Sequence, residues 1–202
     1  MGSIGNKPKK FRLTEGYEEP EMLVDLESIR NKANKKGYVN GNRFDVERFI
    51  KENYPDIIIK NEPLASDVSG RLRMEDGVWV MTVNSQHPDV RKRYTLGHEL
   101  GHYLNHRDSI KSFEDTIFFR SSQKSSMEYM ADQFAARLLM PESEVNTLLK
   151  EGVKTVRTMA DRFGVSLEAM KYRLEELGYS VSKEEFDKYM EDKRFERIVA
   201  NI

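Results

Sequence analysis

Across residues 87–105 the sequence carries helical periodicity, and inside it two glycines and two histidines recur at the same interval: Gly97 and Gly101, His98 and His102. Residues four apart lie on one face of a helix. A glycine inside a helix costs about 1 kcal/mol relative to alanine, so two on one face require a compensating gain. Close approach of a neighbouring helix is such a gain, because glycine lets backbones come together. The expected partner is a helix over residues 125–140, where Ala131, Phe134, Ala135, Leu138 and Leu139 form an apolar stripe that includes two small residues. Two helices packed back to back are thus the expected centre of the fold.

The histidines add chemistry to that geometry. Residues four apart differ by about 40° around a helix axis, so both imidazoles can face one ion. In the pattern H-E-x-x-H, here His98-Glu99-Leu100-Gly101-His102, the histidines bind zinc and the glutamate, too far round to ligate, takes a proton from the attacking water. A chain of this length shows the pattern by chance roughly once in two hundred, so it does not stand alone.

Glu128 lies on the apolar stripe, three positions before Ala131, and a lone carboxylate aimed at a core is costly unless it meets a cation. Zinc would be that cation, with Glu128 the third ligand. The bland alternative is an ion pair with Arg93 or Arg137. Asp132, one turn on, either orients a ligating histidine or is merely solvated. His106 follows His102 by four, but the metzincin pattern needs a glycine and then a third histidine six residues after the second, so that the chain can turn back, and this sequence has neither; His106 is expected to serve as a cation at a helix C-terminus. Candidates to stabilise an oxyanion are His87, His106, Tyr94, Tyr103 and Tyr129.

The remaining organisation is a loose leader over 1–18, a helix over 19–36, and a short helix after Asn42 running through Phe44, Val46, Phe49 and Ile50. Strands are expected at 57–60, 68–74 and 78–84. Asp76-Gly77 signals a hairpin between the last two. A short strand is expected at 116–120. Helices follow over 141–150, 153–164, 166–178 and 182–199, the last highly charged.

Composition excludes several classes. The 202 residues contain no cysteine, so any metal site must use histidine and carboxylate rather than thiolate. With 33 Lys+Arg against 34 Asp+Glu, the cationic excess of a strong nucleic-acid binder is missing. The start is polar, without the apolar run of an export signal. The longest aliphatic run, Ile57-Ile58-Ile59, is far short of the roughly 20 residues that span a bilayer. A cytoplasmic protein with no membrane partner is expected.

Taken together, the segment Arg93-Tyr94-Thr95-Leu96-Gly97-His98-Glu99-Leu100-Gly101-His102 and the later Glu128-x-x-Ala131-Asp132-x-Phe134-Ala135-x-x-Leu138-Leu139-Met140-Pro141 resemble the ImmA/IrrE family of bacterial and phage metallopeptidases. Ser69-Gly70-Arg71 and the hairpin that follows also fit, so the resemblance covers roughly residues 46–141. The family usually has alanine where Gly97 stands. The resemblance implies one zinc ion held by His98, His102 and Glu128, Glu99 as general base, and a helix-turn-helix transcriptional repressor as the protein substrate whose cleavage relieves repression.

The competing function is a DNA-binding or repressor-binding regulator with a structural zinc site. Ala160, Gly164, Val165, Ser166 and Ala169 fall where a helix-turn-helix places packing and turn residues. The would-be recognition helix carries Glu168, Glu175 and Glu176 against Lys171 and Arg173, which is poor for phosphate attraction, so tight nucleic-acid binding is not expected. The fold expected is α+β: a zincin-like catalytic domain over 19–141, with a small antiparallel sheet packed on the active-site helix, and a helical, helix-turn-helix-like module over 142–202.

Overall fold

The computed structural model describes residues 24–108, 112–116 and 126–181, the segment 112–116 by its backbone pairing alone. The leader over 1–18 and the charged helix over 182–199 lie outside the described residues.

The first helix, α1 (Leu26–Lys35), starts where the Asp25 carboxylate accepts from the Glu27 and Ser28 amides, satisfying two donors that have no partner inside the helix. Residues 19–23 of the expected helix fall outside the described residues. The next segment departs from expectation. Phe44 belongs to a two-stranded hairpin, β1 (Val39–Asn40) and β2 (Arg43–Phe44), and α2 (Val46–Asn53) begins only after it. Gly41 at φ +60° makes the hairpin turn, and the Asp45 side chain caps the Arg48 amide. The apolar spacing of Val46, Phe49 and Ile50 is that of the helix, whereas Phe44 is buried from the strand.

Three strands follow: β3 (Ile57–Glu62), β4 (Val68–Glu75) and β5 (Val78–Asn84). Asp76 and Gly77 both take positive φ, 48° and 84°, as a two-residue type I′ hairpin turn requires. With β6 (Ser112–Thr116) the sheet has the order β3-β5-β4-β6. It is mixed, correcting the antiparallel expectation: β3 runs parallel to β5, and the other two pairings are antiparallel. The cause lies in the connection after β3, which carries the chain past β5 before β4 begins. Fully buried Asn84, at the end of β5, holds that connection by donating to the carbonyls of Leu64, Ala65 and Val68 and accepting from the Leu64 amide. The described β6 ends at Thr116, so the expected strand over 116–120 shares only its first residue with it; 117–120 lie outside the described residues.

The long helix α3 (Asp89–His106) starts behind Pro88 and packs against β4 and β5 on one side. On the other side lies α4 (Ser126–Leu139). A Cβ on Gly97 would lie 3.4 Å from Ala135 Cβ, and one on Gly101 would lie 3.1 Å from Phe134 Cβ and 3.2 Å from Ala131 Cα. The two helices therefore run antiparallel and touch through the glycine face, as their small residues require.

The chain continues through α5 (Glu142–Lys150), α6 (Val156–Phe163) and α7 (Leu167–Glu176). Gly164 in the left-handed region ends α6, and the Ser166 hydroxyl, accepting from the Ala169 amide, starts α7. These helices share the apolar core: Met159, Phe163, Met170 and Leu174 are fully buried in the same cluster as Phe44, Leu100 and Phe134. Arg93, whose charge burial disfavours, satisfies its guanidinium on the carbonyls of Phe44, Phe163 and Gly164, tying α3 to β2 and to the C-terminus of α6. Buried Arg173 donates to the Met140 carbonyl at 3.0 Å and pairs with Glu176 at 2.8 Å. No helix among the described residues is long and apolar enough to cross a membrane.

Candidate metal centre

Burial on both sides of α3 makes nine consecutive residues, 95–103, inaccessible, so whatever ionises there must find its partners inside the protein. His98 and His102 project from the α3 face toward the first turns of α4, which brings Glu128 and Asp132 to the same place. The two Nε2 atoms lie 3.0 Å apart. Glu128 Oε2 is 3.3 Å from His98 Nε2 and Glu128 Oε1 is 3.2 Å from His102 Nε2. Both histidine side chains are almost wholly buried, while Glu128 is 32% exposed, so the centre is open on the carboxylate side.

The polar contacts of the centre suit a cation. Asp132 Oδ1 lies 2.9 Å from His98 Nδ1; a carboxylate only accepts, so the imidazole donates from Nδ1 and leaves the Nε2 lone pair facing His102. Burial lowers the His102 pKa, and the nearby His98 lowers it further, against the opposing pull of Glu128. Burial alone would raise the Glu128 carboxyl, but its close contacts with the rings of His102 and His98 hold it well below the usual range. Two imidazoles and one carboxylate thus face one another in the centre.

Ligand atoms of these three side chains all lie within 4.8 Å of one another. Zinc bonds of about 2.0–2.2 Å in a tetrahedron place ligand atoms roughly 3.3–3.5 Å apart, close to the spacings of this trio. Two imidazole nitrogens brought together in a buried site, one with its proton committed elsewhere, also suit a shared metal ion better than a hydrogen bond to each other. The donor set therefore fits the ion the sequence implies, and it uses no cysteine.

Glu99 is completely buried, on the side of α3 that faces β4. The alternative partners of Glu128 are engaged elsewhere: Arg93 on three carbonyls and Arg137 toward Glu176 at 3.4 Å. Tyr94 donates to the Asp132 carbonyl at 3.3 Å. Tyr103 turns away, donating to Asp56 at 2.5 Å while accepting from Arg107 at 2.6 Å. The His106 ring stands 5.8 Å from that of His102. Gly70 and Thr95 entered the sequence reading only as part of the resemblance, and the packing of Gly70 on Thr95 and Glu99 was not foreseen; the available signal was a glycine inside a strand pattern, which marks close backbone approach.

A mixed sheet laid on a helix that pairs two histidines with a carboxylate from a second helix defines a protein with a candidate mononuclear metal centre. The family model for the IrrE N-terminal-like domain, Peptidase_M78, matches residues 52–175, and the chain belongs to this family. A comparison with curated proteins gives no match. Among solved structures, a Mycobacterium tuberculosis transcriptional regulator is similar at 18% identity and a TM-score of 0.42, over 75% of this chain and 52% of that one. This chain thus matches about half the length of that regulator.

Proposed function

We propose that the protein is a zinc-dependent endopeptidase that hydrolyses a peptide bond in a helix-turn-helix transcriptional repressor and so relieves repression. The observation that carries the reading is the convergence of His98, His102 and Glu128 on one point, with the buried Glu99 next to His98 in the chain, in a chain of a peptidase family. His98, His102 and Glu128 would hold one zinc ion, with Asp132 orienting His98. Bound zinc supplies a Lewis acid that polarises the attacking water and the scissile carbonyl. Glu99 accepts the proton of that water and delivers it to the leaving amine. A site that used zinc only for folding would have no need of Glu99, which favours hydrolysis over the structural-zinc alternative.

In this reading the catalytic unit spans 19–141 and the module over 142–202 docks a partner or braces that unit. The test is to incubate the zinc-loaded protein with the repressor-like protein encoded nearest to its gene and to follow cleavage with and without chelator. A chelator-sensitive cut is expected. No cutting of any neighbouring regulator in living cells, even under DNA damage, would overturn the substrate assignment.

A further inference from the structure

Gly70 sits inside β4, yet its backbone is outside the left-handed region, so chain conformation does not demand glycine there. Space does. A Cβ at this position would overlap Thr95 Cγ2, approach the Thr82 carbonyl oxygen to 2.9 Å and come within 3.1 Å of Glu99 Oε1. Thr95 and Glu99 are one turn apart on α3, so both press on this one point of the strand. The β4–β6 register also shifts between Val68 and Gly70. The three atoms nearest the missing Cβ belong to Thr95, Thr82 and Glu99.

We propose that Gly70 is a positioning residue for Glu99: the bare backbone of β4 is the wall against which the carboxylate rests, fixing where the side chain that follows His98 can point. A buried carboxylate held on one side by main chain loses the rotamers that would carry it toward the sheet. A catalytic group held in register by packing is worth far more than one that wanders, since a 1 Å misplacement costs on the order of 100-fold in rate. The proposal rests on the general-base role given to Glu99 above.

The test uses zinc-loaded full-length protein with Gly70→Ala, and with Gly70→Ala combined with Thr95→Ser, which removes the overlapping methyl but leaves the approaches to Glu99 and to the Thr82 carbonyl. Thr95→Ser alone is the reference. The single variant is expected to lose stability and the double variant to regain part of it, the overlap with the Thr82 carbonyl remaining. In the double variant kcat should remain roughly 10- to 100-fold down while KM and zinc stoichiometry stay unchanged, and its crystal structure should show Glu99 displaced with the three ligands in place. Recovery of kcat in step with stability, or an unmoved Glu99, would overturn the proposal. If the wild-type protein binds zinc but cuts nothing, the endopeptidase reading fails, while the crystallographic comparison still decides what Gly70 does. Should neither alanine variant fold, a crystal structure of the zinc-loaded wild type decides it: a Glu99 carboxylate swung away from β4 contradicts the proposal.

Discussion

His98 Nδ1 and Asp132 Oδ1 are 2.9 Å apart, a contact that fixes the tautomer of His98 and turns its Nε2 toward His102. Such carboxylate–imidazole pairs orient ligands and raise their basicity, and their loss typically costs 10–100-fold in metal affinity. Asp132→Ala is therefore expected to weaken zinc binding by about that factor, with Asp132→Asn milder because the amide oxygen can still accept. Competition with a chromophoric chelator measures it, and unchanged affinity in the alanine variant would remove Asp132 from the centre.

Gly97 and Gly101 share one interface but differ in room. At Gly97 a methyl group meets Ala135 at ordinary contact distance, so Gly97→Ala should be neutral or stabilising by up to about 1 kcal/mol through helix propensity. At Gly101 the methyl presses on Phe134 and on the Ala131 backbone. Overpacking of about 1–3 kcal/mol should outweigh the same gain and lower stability. Denaturant unfolding of the two variants gives the order; Gly101→Ala as the more stable of the pair would contradict the packing account.

Much of this centre was legible because it is local. The 3.6-residue period puts His98 with His102 and Gly97 with Gly101, and it places Glu128 on the stripe that must meet them. What the sequence hid depends on partners far along the chain. Periodicity reports that 57–60 is a strand but not that it lies parallel to β5, an arrangement stabilised by Asn84 and the backbone of 64–68. The seat of Glu99 at Gly70 and the engagement of Arg93 by the end of α6 join residues about 30 and 70 positions apart, beyond any pattern in a single helix or strand.

Glu99→Gln keeps shape and removes the base. Because Glu99 is not among the three converging ligands, the variant should retain zinc while hydrolysis falls by about 10²–10⁴-fold. Single-turnover cleavage of the natural substrate provides the measurement, and turnover within a few-fold of wild type would end the assignment of Glu99 as base.

Duplex DNA should not bind tightly. Of the two cations on α7, Arg173 is buried and committed to the Met140 carbonyl and Glu176, leaving Lys171 among Glu168, Glu175 and Glu176. A DNA reader neutralises several phosphates and weakens steeply with salt. Fluorescence anisotropy with DNA from the neighbouring promoter is expected to show no submicromolar, sequence-selective binding near physiological salt; such binding would favour the regulator function instead.

One zinc ion held by His98, His102 and Glu128 is measured by elemental analysis of the purified protein beside its Glu128→Ala variant. About one zinc per chain is expected in the wild type, with the metal largely lost from the variant after dialysis against a weak chelator. Full retention of zinc by Glu128→Ala, with unchanged affinity, would contradict the account and move the third ligand elsewhere.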